Sequence, residues 1–135
     1  MFRLYEQLQY RKHHLILLTI WNLSYCQESD INVLNVDFDD ITDSVLETKY
    51  GRALGITIEQ AQQIVDFIID RYSKGVENWY LHCRAGRSRS AACGQFLIGF
   101  LKQYTDDVND NGFLKDKINT FVWNKLLEAY NVSCT

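Results

Sequence analysis

The stretch that most constrains the fold of this chain is the run LHCRAGRSRS, from Leu81 to Ser90. An apolar run, WYL, leads into it, and the small and apolar residues of SAACGQFLIGFLK follow it. This order predicts a strand, a tight loop and then a buried helix. A loop of this kind can turn successive backbone N–H groups inward, and the N-terminus of the following helix adds positive potential. The sequence therefore predicts an anion-binding site between a strand and a helix.

Two side chains of this loop, Cys83 and Arg89, are suited to phosphate chemistry. Backbone N–H groups, a helix N-terminus and neighbouring arginines favour the thiolate over the thiol, and the thiolate is the nucleophile. A guanidinium is a planar fork that grips two phosphate oxygens at once, which an ammonium cannot do. A small residue at Gly86 lets the backbone approach the phosphate closely. Together these features predict the cleavage of phosphate esters.

The loop resembles the signature of the cysteine-based protein tyrosine phosphatases, specifically of their dual-specificity branch, whose pattern reads HCxAGxSRS. A bare C-x5-R pattern occurs by chance in many chains, whereas this chain meets every fixed position of the longer pattern. The matching residues are His82, Cys83, Ala85, Gly86, Ser88, Arg89 and Ser90. The resemblance implies a phosphatase that needs no metal or cofactor and forms a phosphocysteine at Cys83. The competing reading is a buried cysteine beside a basic surface turn.

The resemblance implies roles for the neighbours of the nucleophile. Ser90 would hydrogen-bond the Cys83 sulfur and ease its departure in the second step. His82 would order the loop rather than act as a base, because strand alternation turns it away from the substrate. Asn119, in KINTF, resembles an asparagine near the pocket edge in relatives. The phosphate would be bound by Arg84, Ala85, Gly86, Arg87, Ser88 and Arg89.

The departing oxygen of a phosphate ester needs a proton, and a general acid typically contributes about 10²–10⁴-fold to the rate. In the resembled family an aspartate on a loop just after a strand supplies it. Here the strand-like run INVLNVDF leads into Asp39 and Asp40. Asp40 is the first candidate because relatives read F-x-D-[IV] at this place; Asp39 is the second and Asp43 the third. The segment from Asp40 to Cys83 is longer than in compact members, and the extra length falls in residues 41 to 56.

The pattern along the chain predicts one α/β domain that covers residues 1–135. Strands are predicted over residues 2–10, 15–21, 31–38 and 78–82, and helices over residues 57–72, 88–104 and 118–129. Residues 41–56 and 105–116 show no sustained periodicity and are predicted to be surface loops. The resemblance implies a single-domain phosphatase fold. In that fold a central, mostly parallel sheet is flanked by helices, and the phosphate-binding loop joins a strand to a buried helix.

Composition and charge narrow the functional classes. The net charge of −3 gives no broad basic surface for nucleic acid. The longest apolar run, Leu15 to Trp21, is too short to span a bilayer. Four cysteines without C-x-x-C spacing indicate a reduced, cytoplasmic setting, and we expect a monomer. The cysteines are Cys26, Cys83, Cys93 and Cys134. Cys93 is expected to pack in the buried helix, and Cys26 could approach Cys83.

Substrate class is the most open question at this level. The first expectation is phosphotyrosine in proteins, with phosphoserine and phosphothreonine as further substrates. Arg84 and Arg87 occupy the variable loop positions, where lipid-phosphate and inositol-phosphate members of the superfamily often carry basic residues. A phosphoinositide, or another lipid or small-molecule phosphate, is therefore the alternative substrate. A non-catalytic phosphate-binding module is a further alternative. Low-molecular-weight phosphatases and arsenate reductases fit less well, because they carry their Cys-Arg loop near the N-terminus. Rhodanese-type proteins fit less well because their loop is one residue shorter.

Overall fold

The computed structural model describes residues 2–6, 14–19, 33–83, 88–110, 112 and 117–133. These residues form an α/β structure of two sheets and three helices. The strands are β1 (Phe2–Glu6), β2 (His14–Thr19), β3 (Val33–Asp37), β4 (Val45–Thr48), β5 (Gly51–Leu54), β6 (Asn78–Cys83) and β7 (Val108–Asn109). The helices are α1 (Ile58–Ser73), α2 (Ser88–Lys102) and α3 (Thr120–Ser133). Among the described residues, no helix is both long and apolar enough to cross a membrane.

Helix α1 begins after a capping box and ends shortly before a glycine, and both signals are present in the sequence. Thr57 is the N-cap and its side chain accepts the Gln60 backbone N–H at 3.1 Å, while the Gln60 side chain accepts the Thr57 N–H at 2.9 Å. This reciprocal capping box is the one that the spacing of the two residues predicts. Gly75, with a φ of +83°, then turns the chain toward β6, a conformation that favours glycine.

The main sheet is mixed rather than mostly parallel. Its strand order is β3-β2-β6-β1-β7. β1 pairs in parallel with both β6 and β7, which makes a small three-stranded parallel unit. β2 pairs antiparallel with β3 on one side and with β6 on the other. The expectation of a mostly parallel sheet is therefore only half correct, because two of the four pairings are antiparallel.

The topology brings two carboxyl-terminal strand ends to one edge of the sheet. Because β2 is antiparallel to both of its neighbours, β3 and β6 run in the same direction. Adjacent strands are about 4.8 Å apart, so these two ends lie roughly 10 Å from each other across β2. β6 ends at Cys83, and β3 ends just before Asp39 and Asp40. Two segments that carry candidate site residues thus meet at this edge.

Helix α2 is buried along nearly its whole length, as its apolar composition predicts. The core joins the sheet to all three helices. Its fully buried large side chains are Leu4, Ile56, Ile64, Ile68, Trp79, Leu81, Leu97, Ile98, Leu101 and Leu126. The strand that carries Cys83 and the helix that follows it are therefore held by apolar packing on several sides.

The expectation of a structureless segment over residues 41–56 is wrong, because β4 and β5 form a hairpin there. The Thr48 side chain donates to the Gly51 carbonyl at 2.6 Å and so braces the turn. β4 is exposed on both faces, so no hydrophobic alternation marked the strand in the sequence. Residues 105–116 likewise contain a short strand, β7, within their described part. A strand of two residues is too short to leave a pattern.

Candidate active site

Cys83 is the last residue of β6 and only 1% of its surface is exposed. The backbone N–H of Ser90 donates to its Sγ at 3.4 Å, and the Ser90 Oγ lies 3.3 Å from the same sulfur. Ser90 is buried in the first turn of α2. The sulfur therefore lies beside the N-terminus of a helix, where backbone N–H groups and the helix dipole stabilise negative charge.

Arg89 is buried beneath the candidate site, with 3% of its surface exposed. Its Nη1 donates to the backbone carbonyl of Phe38, just beyond the end of β3, at 2.6 Å. Its Nε makes no hydrogen bond within the part of the chain that the structure describes. A buried guanidinium N–H without an acceptor is costly. An anion that supplied an oxygen there would remove this cost.

Asp40 comes from the segment after β3 but contacts the start of α2. Its Oδ1 accepts a hydrogen bond from the Ser88 hydroxyl at 3.1 Å, and another from the Asn119 side-chain amide at 2.8 Å. Ser88 immediately precedes Arg89, so the carboxylate lies at the same edge of the sheet as Arg89 and Cys83. This contact joins residues 48 positions apart in the chain.

The other two acid candidates have different partners. The Asp39 carboxylate accepts the backbone N–H of Leu54 at 2.7 Å and so attaches the hairpin. The Asp43 carboxylate accepts the N–H of its own neighbour, Ser44, at 2.7 Å in an exposed turn. The Asp40 carboxylate, by its bond with Ser88, contacts the helix that bears Arg89 and Ser90.

Asn119 joins three segments, and it does so as a helix cap. Its Oδ1 accepts the N–H groups of Phe121 and Val122 at 3.0 and 3.1 Å, which caps α3. Its Nδ2 donates to Asp40 and, at 2.9 Å, to the carbonyl of Ile41. An asparagine before a helical run is an N-cap signal that the sequence contained and our sequence reading did not use. These bonds fix the Asn119 side chain, whose amide then holds residues 39–41, the acid segment, in position.

Several predicted site residues cannot be placed. Arg84, Ala85, Gly86 and Arg87 lie outside the described residues, as do Cys26 and Cys134. For His82 the backbone belongs to β6, while its side chain is not described. The residues that the structure does bring together are Cys83, Ser88, Arg89, Ser90, Asp40 and Asn119. The Phe38 carbonyl, a partner of Arg89, is an addition that no side-chain pattern could have indicated.

Cys93 lies fully buried in α2, near Cys83. Burial, and then the charge of Cys83, raise its pKa to about 12 from an ordinary value of 9.0. We therefore expect iodoacetate at pH 8 to modify Cys83 in the folded protein and to leave Cys93 unmodified, since Cys93 stays protonated at that pH and the thiolate is the reactive form. Peptide mapping by mass spectrometry measures each cysteine separately.

Two controls accompany this labelling experiment. Inorganic phosphate should slow the modification of Cys83, and unfolding in guanidinium chloride should make Cys93 reactive. Equal labelling rates for Cys83 and Cys93 in the folded protein would contradict the assignment of a reactive and an inert thiol.

Gly55 sits where the hairpin returns to the acid segment. A Cβ at this position would lie 2.1 Å from the backbone carbonyl oxygen of Asp43, so no side chain fits without a shift of the backbone. We expect Gly55→Ala to lower the free energy of unfolding by about 1–3 kcal/mol. Gly99→Ala is the matched control, because a Cβ there meets nothing within 4 Å. This helical substitution should be neutral or stabilising.

Urea denaturation of both glycine variants measures the difference. Should Gly55→Ala prove as stable as Gly99→Ala, the close approach of the hairpin base to Asp43 would not exist in solution.

No family model, no curated protein and no solved structure matches this chain. What the site can do therefore rests on its own geometry. A sulfur beside a helix N-terminus, a buried guanidinium whose Nε has no acceptor among the described residues, and a carboxylate on a separate segment lie at one edge of the sheet. These groups can supply a nucleophile, an anion clamp and a proton.

Proposed function

We propose that this protein is a single-domain phosphatase of the dual-specificity type, which hydrolyses phosphate monoesters through a phosphocysteine at Cys83. The observation that carries the proposal is the contact between Asp40 and Ser88, two residues before Ser90, which itself contacts the Cys83 sulfur. The Asp40 carboxylate and the Cys83 sulfur, from two distant segments, thus both contact the first turn of α2. The signature pattern from His82 to Ser90 supports the same chemistry.

In the first step the Cys83 thiolate attacks the phosphorus of the ester. The S–P bond forms and the bond from phosphorus to the leaving oxygen breaks, while Asp40 gives its proton to that oxygen. Arg89 binds two non-bridging oxygens, and its contact with the Phe38 carbonyl holds the guanidinium in place. The products are a free alcohol or phenol and the phosphocysteine.

In the second step water attacks the phosphocysteine. The Asp40 carboxylate takes a proton from this water, the new O–P bond forms and the S–P bond breaks. The departing sulfur regains its negative charge, which the Ser90 N–H and hydroxyl stabilise through hydrogen bonds. Inorganic phosphate then leaves. Asp40 serves as acid and then as base, so one carboxylate suffices for both steps.

Turnover of para-nitrophenyl phosphate, together with trapping of the phosphoenzyme by rapid acid quench, tests the proposal. We expect hydrolysis, a burst of para-nitrophenol and a phosphate group on the peptide that contains Cys83. Absence of both turnover and phosphoenzyme would contradict it and favour a non-catalytic phosphate-binding module. A panel of phosphotyrosine peptides, phosphothreonine peptides and phosphoinositides then defines the substrate class. Phosphotyrosine in proteins is the substrate we propose, and the phosphoinositides are the alternative.

We expect Arg89→Lys to lower kcat/KM by about 10–10²-fold, although the charge is kept. A lysine cannot bind two phosphate oxygens and the Phe38 carbonyl at once, since an ammonium has no planar fork. Steady-state kinetics with para-nitrophenyl phosphate measures the loss. Arg3→Lys, an exposed substitution in β1, is the matched control. An unchanged kcat/KM in Arg89→Lys would remove Arg89 from the role of clamp.

A further inference from the structure

The β4–β5 hairpin lies beside the candidate site, and the proposed reaction uses none of it. Within the described residues, four of the seven large hydrophobic side chains that are exposed lie on these ten residues. The four are Val45, Leu46, Tyr50 and Leu54, and Tyr50 is 88% exposed. Val45 and Leu54 are paired across the hairpin, so their exposed side chains lie on the same face of it.

Two hydrogen bonds between Asp39 and Leu54 attach the hairpin to the acid segment. The backbone N–H of Asp39 donates to the Leu54 carbonyl at 2.8 Å, and the Leu54 N–H donates to the Asp39 carboxylate at 2.7 Å. Asp39 thus pairs with the outer edge of β5, the edge that faces away from β4. Asp40, the proposed acid, is the next residue in the chain, so this edge lies one residue along the backbone from it.

Arg52, two residues before Leu54, is the next residue of β5 whose backbone groups lie on this outer edge. The N–H and C=O groups of a strand point alternately to its two sides, so those of Arg52 face the same side as those of Leu54. Among the described residues, no backbone hydrogen bond joins Arg52 on that side. A cavity of about 660 Å³ lies there, bordered by the 37–39 segment, Tyr50, Arg52 and Leu54. This volume is in the range of sites that bind ligands.

Charge favours a polypeptide over a lipid surface as the occupant. The segment of residues 37–54 carries five carboxylates and two basic groups, which gives a net charge of −3. The carboxylates are Asp37, Asp39, Asp40, Asp43 and Glu47, and the basic residues are Lys49 and Arg52. Arg52 is moreover paired with Glu47 at 3.0 Å. An anionic bilayer would be repelled by this segment, whereas a neutral or basic peptide would not.

We propose that the outer edge of β5 binds an extended segment of a phosphorylated polypeptide. The peptide backbone pairs with the N–H and C=O of Arg52, as an added strand. A large apolar side chain close to the phosphorylated residue packs against Tyr50 and Leu54. This inference rests on the proposed function, since it names the surface that binds the polypeptide part of the proposed substrate.

The first test removes the backbone donor. Arg52→Pro deletes the N–H on the outer edge, and an edge strand tolerates proline where the N–H faces away from its partner. Arg52→Ala is the matched control, which loses the same side chain and keeps the N–H. The readout is the ratio of kcat/KM for a ten-residue phosphotyrosine peptide to that for para-nitrophenyl phosphate. We expect Arg52→Pro to lower this ratio about tenfold and Arg52→Ala to change it less than about twofold.

The second test removes apolar contact without touching the backbone. Tyr50→Ser should lower the same ratio by about fivefold or more, because Tyr50 borders the cavity. Leu46→Ser is its matched control, since Leu46 is an exposed apolar residue of the same hairpin that does not border the cavity. A third measurement uses the unmodified protein and a ten-residue peptide in which glycine replaces the residues on both sides of the phosphotyrosine. Its kcat/KM, relative to that for para-nitrophenyl phosphate, should be lower than that of the original peptide.

The outcomes separate this inference from the function on which it rests. No turnover of para-nitrophenyl phosphate would contradict the phosphatase itself. If that substrate is hydrolysed, unchanged ratios in both Arg52→Pro and Tyr50→Ser overturn the peptide-binding edge. An equal loss in Arg52→Ala and Arg52→Pro would overturn it too, because the guanidinium rather than the strand edge would then bind the substrate. A preference for phosphoinositide vesicles over the peptide overturns the choice of occupant.

Discussion

Replacing Cys83 by serine should abolish turnover, with a loss of roughly 10⁴-fold or more, while the protein still binds inorganic phosphate. A serine hydroxyl supplies no thiolate at neutral pH. The anion site survives, because the buried Arg89 keeps its contact with the Phe38 carbonyl and the helix N-terminus is unchanged. Turnover of para-nitrophenyl phosphate and calorimetric titration with phosphate measure the two properties.

Cys93→Ala is the matched control for this substitution. It removes the other described cysteine thiol, which is buried in the same helix and whose pKa of about 12 keeps it neutral. This variant should lose some stability to the cavity it creates but retain turnover. Substantial activity in Cys83→Ser, or loss of activity in folded Cys93→Ala, would show that the nucleophile is wrongly assigned.

Replacing Asp40 by asparagine should lower kcat by about 10²–10³-fold for a phosphotyrosine peptide, and far less for an aryl phosphate with an acidic phenol. The first leaving group needs a proton and the second hardly does. An asparagine Oδ1 can still accept from Ser88 and Asn119, so the geometry is kept and only the proton is lost.

Asp39→Asn is the matched control, since its amide oxygen can still accept the Leu54 N–H. It should leave the ratio between the two substrates nearly unchanged. If Asp39→Asn widens this ratio and Asp40→Asn does not, Asp39 is the acid. If neither variant widens the ratio, either Asp43 is the acid or the natural leaving group needs no proton. A leaving group that needs no proton would argue against phosphoprotein substrates.

The helices were the most predictable part of the fold. Each of α1, α2 and α3 is long enough to repeat its pattern over several turns, and α1 has its capping box as well. β4 and β5 were missed because strands of four residues with exposed faces show no burial pattern. The mixed sheet was missed because strand direction depends on which strands pair, and pairing partners far apart in sequence leave no local signal.

By itself the sequence determined the chemical types of the candidate site. It placed Cys83, Arg89 and Ser90 within one loop-to-helix turn, where covalent connection alone keeps them close. Only the tertiary structure decided how the acid segment lies. The order β3-β2-β6 brings two strand ends to one edge, and the Asn119 cap then holds Asp40 against Ser88 while Asp39 binds the hairpin. Adjacent aspartates look alike in a sequence, and they differ here because the chain turns at Asp40, where the Ile41 N–H donates to the Asp39 carbonyl at 3.0 Å.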